Sequence, residues 1–340
     1  MTGQKKKFSI EMHYFRAFAI ITVVLTHTFL TPGQLENPHG AGKIMDIVRQ
    51  AFFLNATIYF VFISGFLFHY LSYKFEVKKY FKTKFTNVII PYLIWTGLAT
   101  LSNTFVSGVP FSVSNLPSII FLGKAQVQYW YIPFITLVFL ISPFLLMLSP
   151  KRFTQICIPI AFLPILGTRT GTELTFYQYM YFLPVYMLGM LCSLHFDFMM
   201  EKIMQYWGIL LAVAAASTAG IVYVVATDLK VSWGPMDLLW SVTYVARISS
   251  TFLVILLFSK MKRKSAFLDN VATLSFALYF MHWLFYKEAI RDFAIRMVDG
   301  YIPYWIVCIA YTIFNLLLTI GIAYVAKKIF GKYSRMLTGA

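Results

Sequence analysis

The chain of 340 residues is 59% hydrophobic and 12% charged, with a mean hydropathy of +0.71 and a formal charge of +16. A soluble core of this size cannot hide that much apolar surface, and runs of about 20 apolar residues match a bilayer interior of ~30 Å. The basic balance would suit a nucleic-acid binder, but its distribution along the chain excludes that class.

Ten apolar spans follow one another, at 13–31, 51–71, 87–106, 128–149, 153–167, 177–195, 204–226, 237–258, 271–290 and 303–326. The fifth is short, and Pro159 and Pro164 interrupt it. The expected fold is all-α: an integral membrane bundle of about ten transmembrane helices. It forms one domain over 1–340 with no appended soluble domain, so any chemistry takes place in or beside the bundle. With both termini in the cytoplasm, the inner segments carry 19 Lys and Arg and the outer segments seven, while Arg16, Arg247 and Lys287 lie within spans. That asymmetry is the positive-inside rule, so the basic charge is a topology signal. Lys5–Lys7 before the first span do not make a signal peptide, because no small-residue cleavage site follows and further spans come after. The longest outer loops are expected at 32–50 and 107–127, and no internal repeat is visible.

Span one carries Arg16 and His27, eleven residues apart. Three helical turns take about 10.8 residues, so the two side chains share a helix face, roughly 16 Å apart along the axis. Arg in a membrane helix costs ~2.5–3.5 kcal/mol on insertion scales and ordinarily faces a bundle interior or a wet cavity. Each residue alone has a structural explanation, Arg16 by snorkelling to the inner interface and His27 by capping the outer helix end. The shared face favours a joint role.

Span two contains Ser64-Gly65, where small residues permit close helix approach. Lys82 and Lys84 form a basic inner mouth before Ile90-Pro91-Tyr92. Tyr129-Trp130-Tyr131-Ile132-Pro133 opens span four, either as a substrate platform or as an interfacial aromatic belt. Arg247 falls near the middle of span eight and should meet a carboxylate, a wet cavity or an anionic ligand. His282 falls in the middle of span nine, with Glu288 six residues later near its outer end. His69 and His195 close spans two and six as interfacial histidines. The six histidines show no HxxxH or HxH spacing, so no metal site is expected. Cys157, Cys192 and Cys308 give neither a disulfide framework nor a metal spacing. No P-loop, Rossmann fingerprint or GxSxG elbow is present.

The Arg-x10-His of span one resembles the signature of the membrane acyltransferase-3 family. Further blocks agree in order: Ser64-Gly65-Phe66-Leu67, the basic stretch leading to Pro91-Tyr92, and Trp130 with Pro133. Tyr181-Phe182-Leu183-Pro184 running to Leu188-Gly189, and Leu274-Ser275-Phe276-Ala277-Leu278-Tyr279 ending in His282, complete the set. Length and the lack of an appended domain look most like the exopolysaccharide-modifying members, including those acting on biofilm polysaccharides. The resemblance implies transfer of an acetyl or succinyl group from cytosolic acyl-CoA to a hydroxyl of a glycan at the outer face. It implies a multi-pass protein of the bacterial inner membrane, no permanently bound cofactor, and a polysaccharide synthase or export machinery as partner. Arg16 and His27 correspond to the family's functional pair. Where the family often has arginines before Pro-Tyr, this chain has Lys82 and Lys84, which hold phosphate without Arg's bidentate fork.

On that reading Lys82, Lys84 and Lys260–Lys264 meet the phosphates of acyl-CoA, and the pantetheine arm passes Arg16. His27 acts as general base or forms an acyl-histidine. Arg16 or Arg247 steadies the oxyanion, Glu288 or Asp237 orients His27, and Trp130, Tyr129, His282 and Ser64 contact the acceptor. The competing class is a glycan or glycolipid transporter, since intramembrane Arg and His also suit a substrate path. A third reading is a structural subunit of a polysaccharide synthase.

Overall fold

The computed structural model describes residues 9–28, 41–169, 174–285 and 304–340. The described residues are helical almost throughout. In order the helices are α1 (Ile10–Thr28), α2 (Ala41–Val48), α3 (Thr57–Tyr70), α4 (Val77–Lys84), α5 (Ile90–Phe105), α6 (Leu116–Phe121) and α7 (Tyr131–Leu145). They continue with α8 (Pro150–Ile160), α9 (Phe176–Leu194), α10 (Phe196–Ala226), α11 (Leu238–Ser259), α12 (Ala266–Met281), α13 (Tyr304–Phe330) and α14 (Ser334–Leu337). Among the described residues five helical stretches are long and apolar enough to cross a membrane: Lys43–Tyr70, Val77–Phe105, Phe196–Ala226, Leu238–Ser259 and Trp305–Leu337. This is a multi-pass, all-α membrane protein.

The expected spans differ from the helices in instructive ways. Span five is an 11-residue α8 that stops one residue past Pro159, followed by a 3-10 turn at Leu163–Leu166. A proline removes a backbone donor and clashes with the preceding turn, so neither helix type extends far. Residues 41–50, assigned from sequence to an outer loop, are helical. α2 runs into a π-turn, Arg49–Phe53, which stops at Leu54 and at Asn55 with φ +66°. The loop at 107–127 contains a 3-10 turn at Val113–Asn115 and then α6. A second π-turn, Phe85–Ile89, joins α4 to α5 just before Pro91, whose missing N–H leaves a carbonyl of the preceding turn without its ordinary donor. A two-stranded hairpin pairs Ser232 with Asp237 and Trp233 with Met236, turning at Gly234 with φ +56°.

The chain forms two compact units. One holds Val61–Met199 and Ala326–Ala340. There α3 and α9 cross at two glycines: a Cβ on Gly65 would strike the Tyr186 carbonyl, and one on Gly189 the Phe62 carbonyl. Tyr186 is buried below that crossing and accepts a 2.7 Å hydrogen bond from Ser142 Oγ.

The other unit holds Ser9–Phe60 and Met200–Val325. Its centre is α1, packed on α12 and α11. α1 buries Met12, Tyr14, Phe15, Ala17, Ala19, Ile20, Val23 and Val24. Small residues at 17 and 19 let neighbouring backbones approach, which is how helices associate where lipid removes the hydrophobic drive. α10 contrasts with it: its apolar window is only 17% buried, as expected of a helix facing lipid.

Candidate active site

α1 and α12 lie side by side with matched registers. His13 Nε2 is 3.1 Å from Asp269 Oδ1. The Ser265 amide donates to Tyr14 Oη at 3.0 Å. Arg16 donates through Nε at 3.0 Å and Nη2 at 2.6 Å to the Ala272 carbonyl, which also accepts from Ser275 Oγ at 2.9 Å. At the far end of α1 the His27 and His282 rings lie 5.3 Å apart, inclined by 38°. His13, Arg16 and His27 thus meet residues ever farther along α12, so the two helices run parallel.

His27 is the penultimate residue of α1, where the carboxyl end of the helix favours a nearby positive charge. His282 is not mid-helix as the sequence suggests. It opens the 3-10 turn His282–Phe285 that terminates α12. It is 1% exposed, and its Nδ1 lies 3.0 Å from the Leu278 carbonyl. A carbonyl only accepts, so Nδ1 carries the proton, and burial of the ring disfavours the charged form, which leaves the lone pair on Nε2. Nε2 is buried with no hydrogen-bond partner among the described residues. Asn315, fully buried on α13, donates to the His282 carbonyl at 3.2 Å.

Arg247 differs from expectation in its partners. Its partners among the described residues are three backbone carbonyls rather than a carboxylate, Leu54 through Nε at 2.8 Å and Gln50 and Ala51 through Nη2 at 3.0 and 2.9 Å. The π-turn leaves those carbonyls without helical donors, and its negative end compensates the buried cation. Thr26 Oγ1, beside His27 in sequence, lies 2.6 Å from the Phe53 carbonyl of the same turn. Arg247 therefore holds the element against which the end of α1 is fixed. Asp237 caps α11, its Oδ1 accepting the Trp240 amide at 3.2 Å. Glu288 lies outside the described residues. Arg16 stands roughly 16 Å from His27 along one unbroken helix, too far to steady an oxyanion formed at His27.

The remaining expected residues belong to the first unit. Ser64 Oγ is 3.3 Å from Tyr131 Oη. Tyr129 and Trp130 are buried, which does not suit an interfacial belt, and the Trp130 ring lies against Phe182, tilted by 39° with centroids 5.2 Å apart. The Arg169 guanidinium sits 5.4 Å from the Trp130 ring and 5.8 Å from Phe182. Burial draws its pKa down to about 10, so it stays charged at neutral pH. Lys82 is exposed on α4, beside Lys78 and Lys79. The Lys84 ammonium instead lies 3.9 Å from the Phe139 ring centroid and 5.4 Å from that of Tyr80. His69 Nδ1 pairs with Ser193 Oγ and His195 Nε2 with Thr154 Oγ1, both at 3.0 Å. Among the described residues no group of His, Cys, Asp and Glu could hold a metal.

Sequence reasoning passed over His13, Tyr14, Thr26 and Arg169. His13 lies one turn before Arg16 on the same face, which was a readable signal; the other three have none in their local sequence.

A family model described as an acyltransferase domain, that of the acyltransferase-3 family, matches residues 9–324. The chain belongs to that family. It is accordingly a membrane acyltransferase, and the match runs from the start of α1 into α13, taking in His27, His282 and Arg247. Comparison with curated proteins and with solved structures found no match.

Proposed function

We propose that this acyltransferase moves an acetyl or succinyl group from cytosolic acyl-CoA to a hydroxyl of a surface glycan or exopolysaccharide, with His27 as general base. The observation carrying this reading is the end of α1, where His27 adjoins the buried, neutral His282. His27 accepts the proton of the acceptor hydroxyl, and the oxygen attacks the thioester carbonyl. The C–O bond forms, the C–S bond breaks, and the thiolate leaves with that proton as CoA thiol. Arg16 serves the donor path and anchors α1, and the exposed cations of α4 are the proposed contacts of the donor's phosphates. The proposed setting is the bacterial inner membrane, with ten spans, both termini cytoplasmic, and a polysaccharide synthase or exporter as working partner. Parallel packing of α1 and α12 supports that topology, since spans one and nine of such a chain run in the same direction.

The test is mass spectrometry of surface glycans from wild type, a deletion strain, and the deletion complemented with His27→Ala. An ester lost in both the deletion and the variant, with polymer exported and variant protein present in the membrane, is expected. General base catalysis contributes about 10²–10⁴-fold, so residual acylation should be at or below roughly 1%. Normal esters in the variant would remove His27 from the chemistry. Polymer retained inside the deletion strain would point to transport.

A further inference from the structure

A general base of the imidazole type works best when its second nitrogen is held. One ring nitrogen takes the substrate proton while the other, protonated, donates to a fixed acceptor that sets tautomer and orientation. In many enzymes that acceptor is a carboxylate. Of the two carboxylates suggested by the sequence, Asp237 caps α11, and Glu288 lies outside the described residues. His282 offers a different solution. Its Nδ1–H is committed to the Leu278 carbonyl, its backbone carbonyl is held by Asn315, and its ring is buried. The one polar atom left over, Nε2, bears a lone pair with no partner among the described residues, and the ring beside it is that of His27. Two imidazoles joined by an N–H···N bond of ordinary length, about 2.9 Å, have centroids roughly 5 Å apart. The observed 5.3 Å is close to that. A small rotation of His27 completes the bond, as catalytic hydrogen bonds commonly tighten only when substrate is bound.

We propose that His282 is the positioning residue of His27: its Nε2 receives the His27 N–H and leaves the other His27 nitrogen unprotonated toward the acceptor hydroxyl. The inference rests on His27 acting as general base. No net charge is needed in the pair before substrate arrives, which suits a buried position where an isolated carboxylate is costly. During the reaction the proton taken by His27 is shared along the same N–H···N axis and then leaves with the CoA thiolate.

Two isosteres separate this role from a structural one. In His282→Asn the side-chain amide can still donate to Leu278, but nothing reaches the Nε2 position. In His282→Gln a polar atom stands near Nε2, and the bond to Leu278 is weakened. The assay is transfer from acetyl-CoA to purified acceptor glycan in proteoliposomes, normalised to protein, with kcat and KM measured separately and His27→Ala run alongside. We expect His282→Asn to lower kcat about 100-fold with KM for acetyl-CoA little changed, and His282→Gln to recover part of that loss. The reverse order, Asn active and Gln impaired, would show a purely structural role and overturn the proposal. Wild-type kcat in both, with His27→Ala inactive, would overturn it while leaving the base assignment intact; an active His27→Ala would overturn both. Should either variant fail to accumulate, nitrogen NMR of histidine-labelled wild-type protein decides independently. The proposal requires the His282 proton on Nδ1, and a proton on Nε2 rules it out.

Discussion

The buried Arg247 is the residue on which the local geometry most depends. Three backbone acceptors surround it, and hydrogen bonds to a charged group are each worth about 1.5–3 kcal/mol. Arg247→Lys keeps the charge but loses the planar fork that reaches Leu54 and the Gln50–Ala51 pair together. We expect it to lower stability by roughly 1–3 kcal/mol, seen as an earlier thermal midpoint in detergent micelles. Transfer should fall as well, because Thr26 fixes the end of α1 to the turn that Arg247 holds. An unchanged midpoint would mean water replaces the lost donors. Arg16 and His27 were legible as a pair because 3.6-residue periodicity puts them on one face. Arg247 was legible as a costly cation, but not by partner: carbonyls freed by a π-turn carry no side-chain signature, and Asn55 with its positive φ is the only local hint of the break.

At the level of elements, the α3–α9 crossing is governed by two hydrogen atoms standing where methyl groups would otherwise be. Gly65→Ala and Gly189→Ala each push a Cβ into an opposing backbone carbonyl, which cannot rotate away. Overpacking of this kind costs about 1–3 kcal/mol, and either variant should accumulate less in the membrane and unfold earlier in micelles. Gly97 on α5 provides the contrast, because nothing lies within 4 Å of a Cβ added there. Gly97→Ala should be neutral or stabilising by about 0.5–1 kcal/mol, since alanine restricts the unfolded chain more. The Ser-Gly of span two was readable as a close-approach site. Its partner glycine was readable only as part of a family motif, because which two helices cross is a tertiary fact. The hairpin at 232–237 and the π-turns went unread for a related reason: the hydrophobic pattern is blind to a single extra residue in a turn.

For the whole molecule, the charge asymmetry and the parallel course of α1 and α12 imply a defined sidedness. With Cys157, Cys192 and Cys308 replaced, Lys79→Cys should react with an impermeant maleimide only after the cells are opened, and Lys230→Cys should react in intact cells. Labelling of both in intact cells would refute the ten-span arrangement. The positions of most helices were legible because apolar length reports bilayer crossing. Their ends were not, since α12 stops at Met281 where its apolar run continues. The Ala272 carbonyl, which accepts from Arg16 twice and from Ser275, has a mechanical consequence as well. Sliding α1 by one turn, about 5.4 Å, along its neighbour would break that junction together with the His13–Asp269 and Tyr14–Ser265 contacts. α1 and α12 are therefore expected to move together, and any rearrangement that spares these contacts has to hinge at other elements.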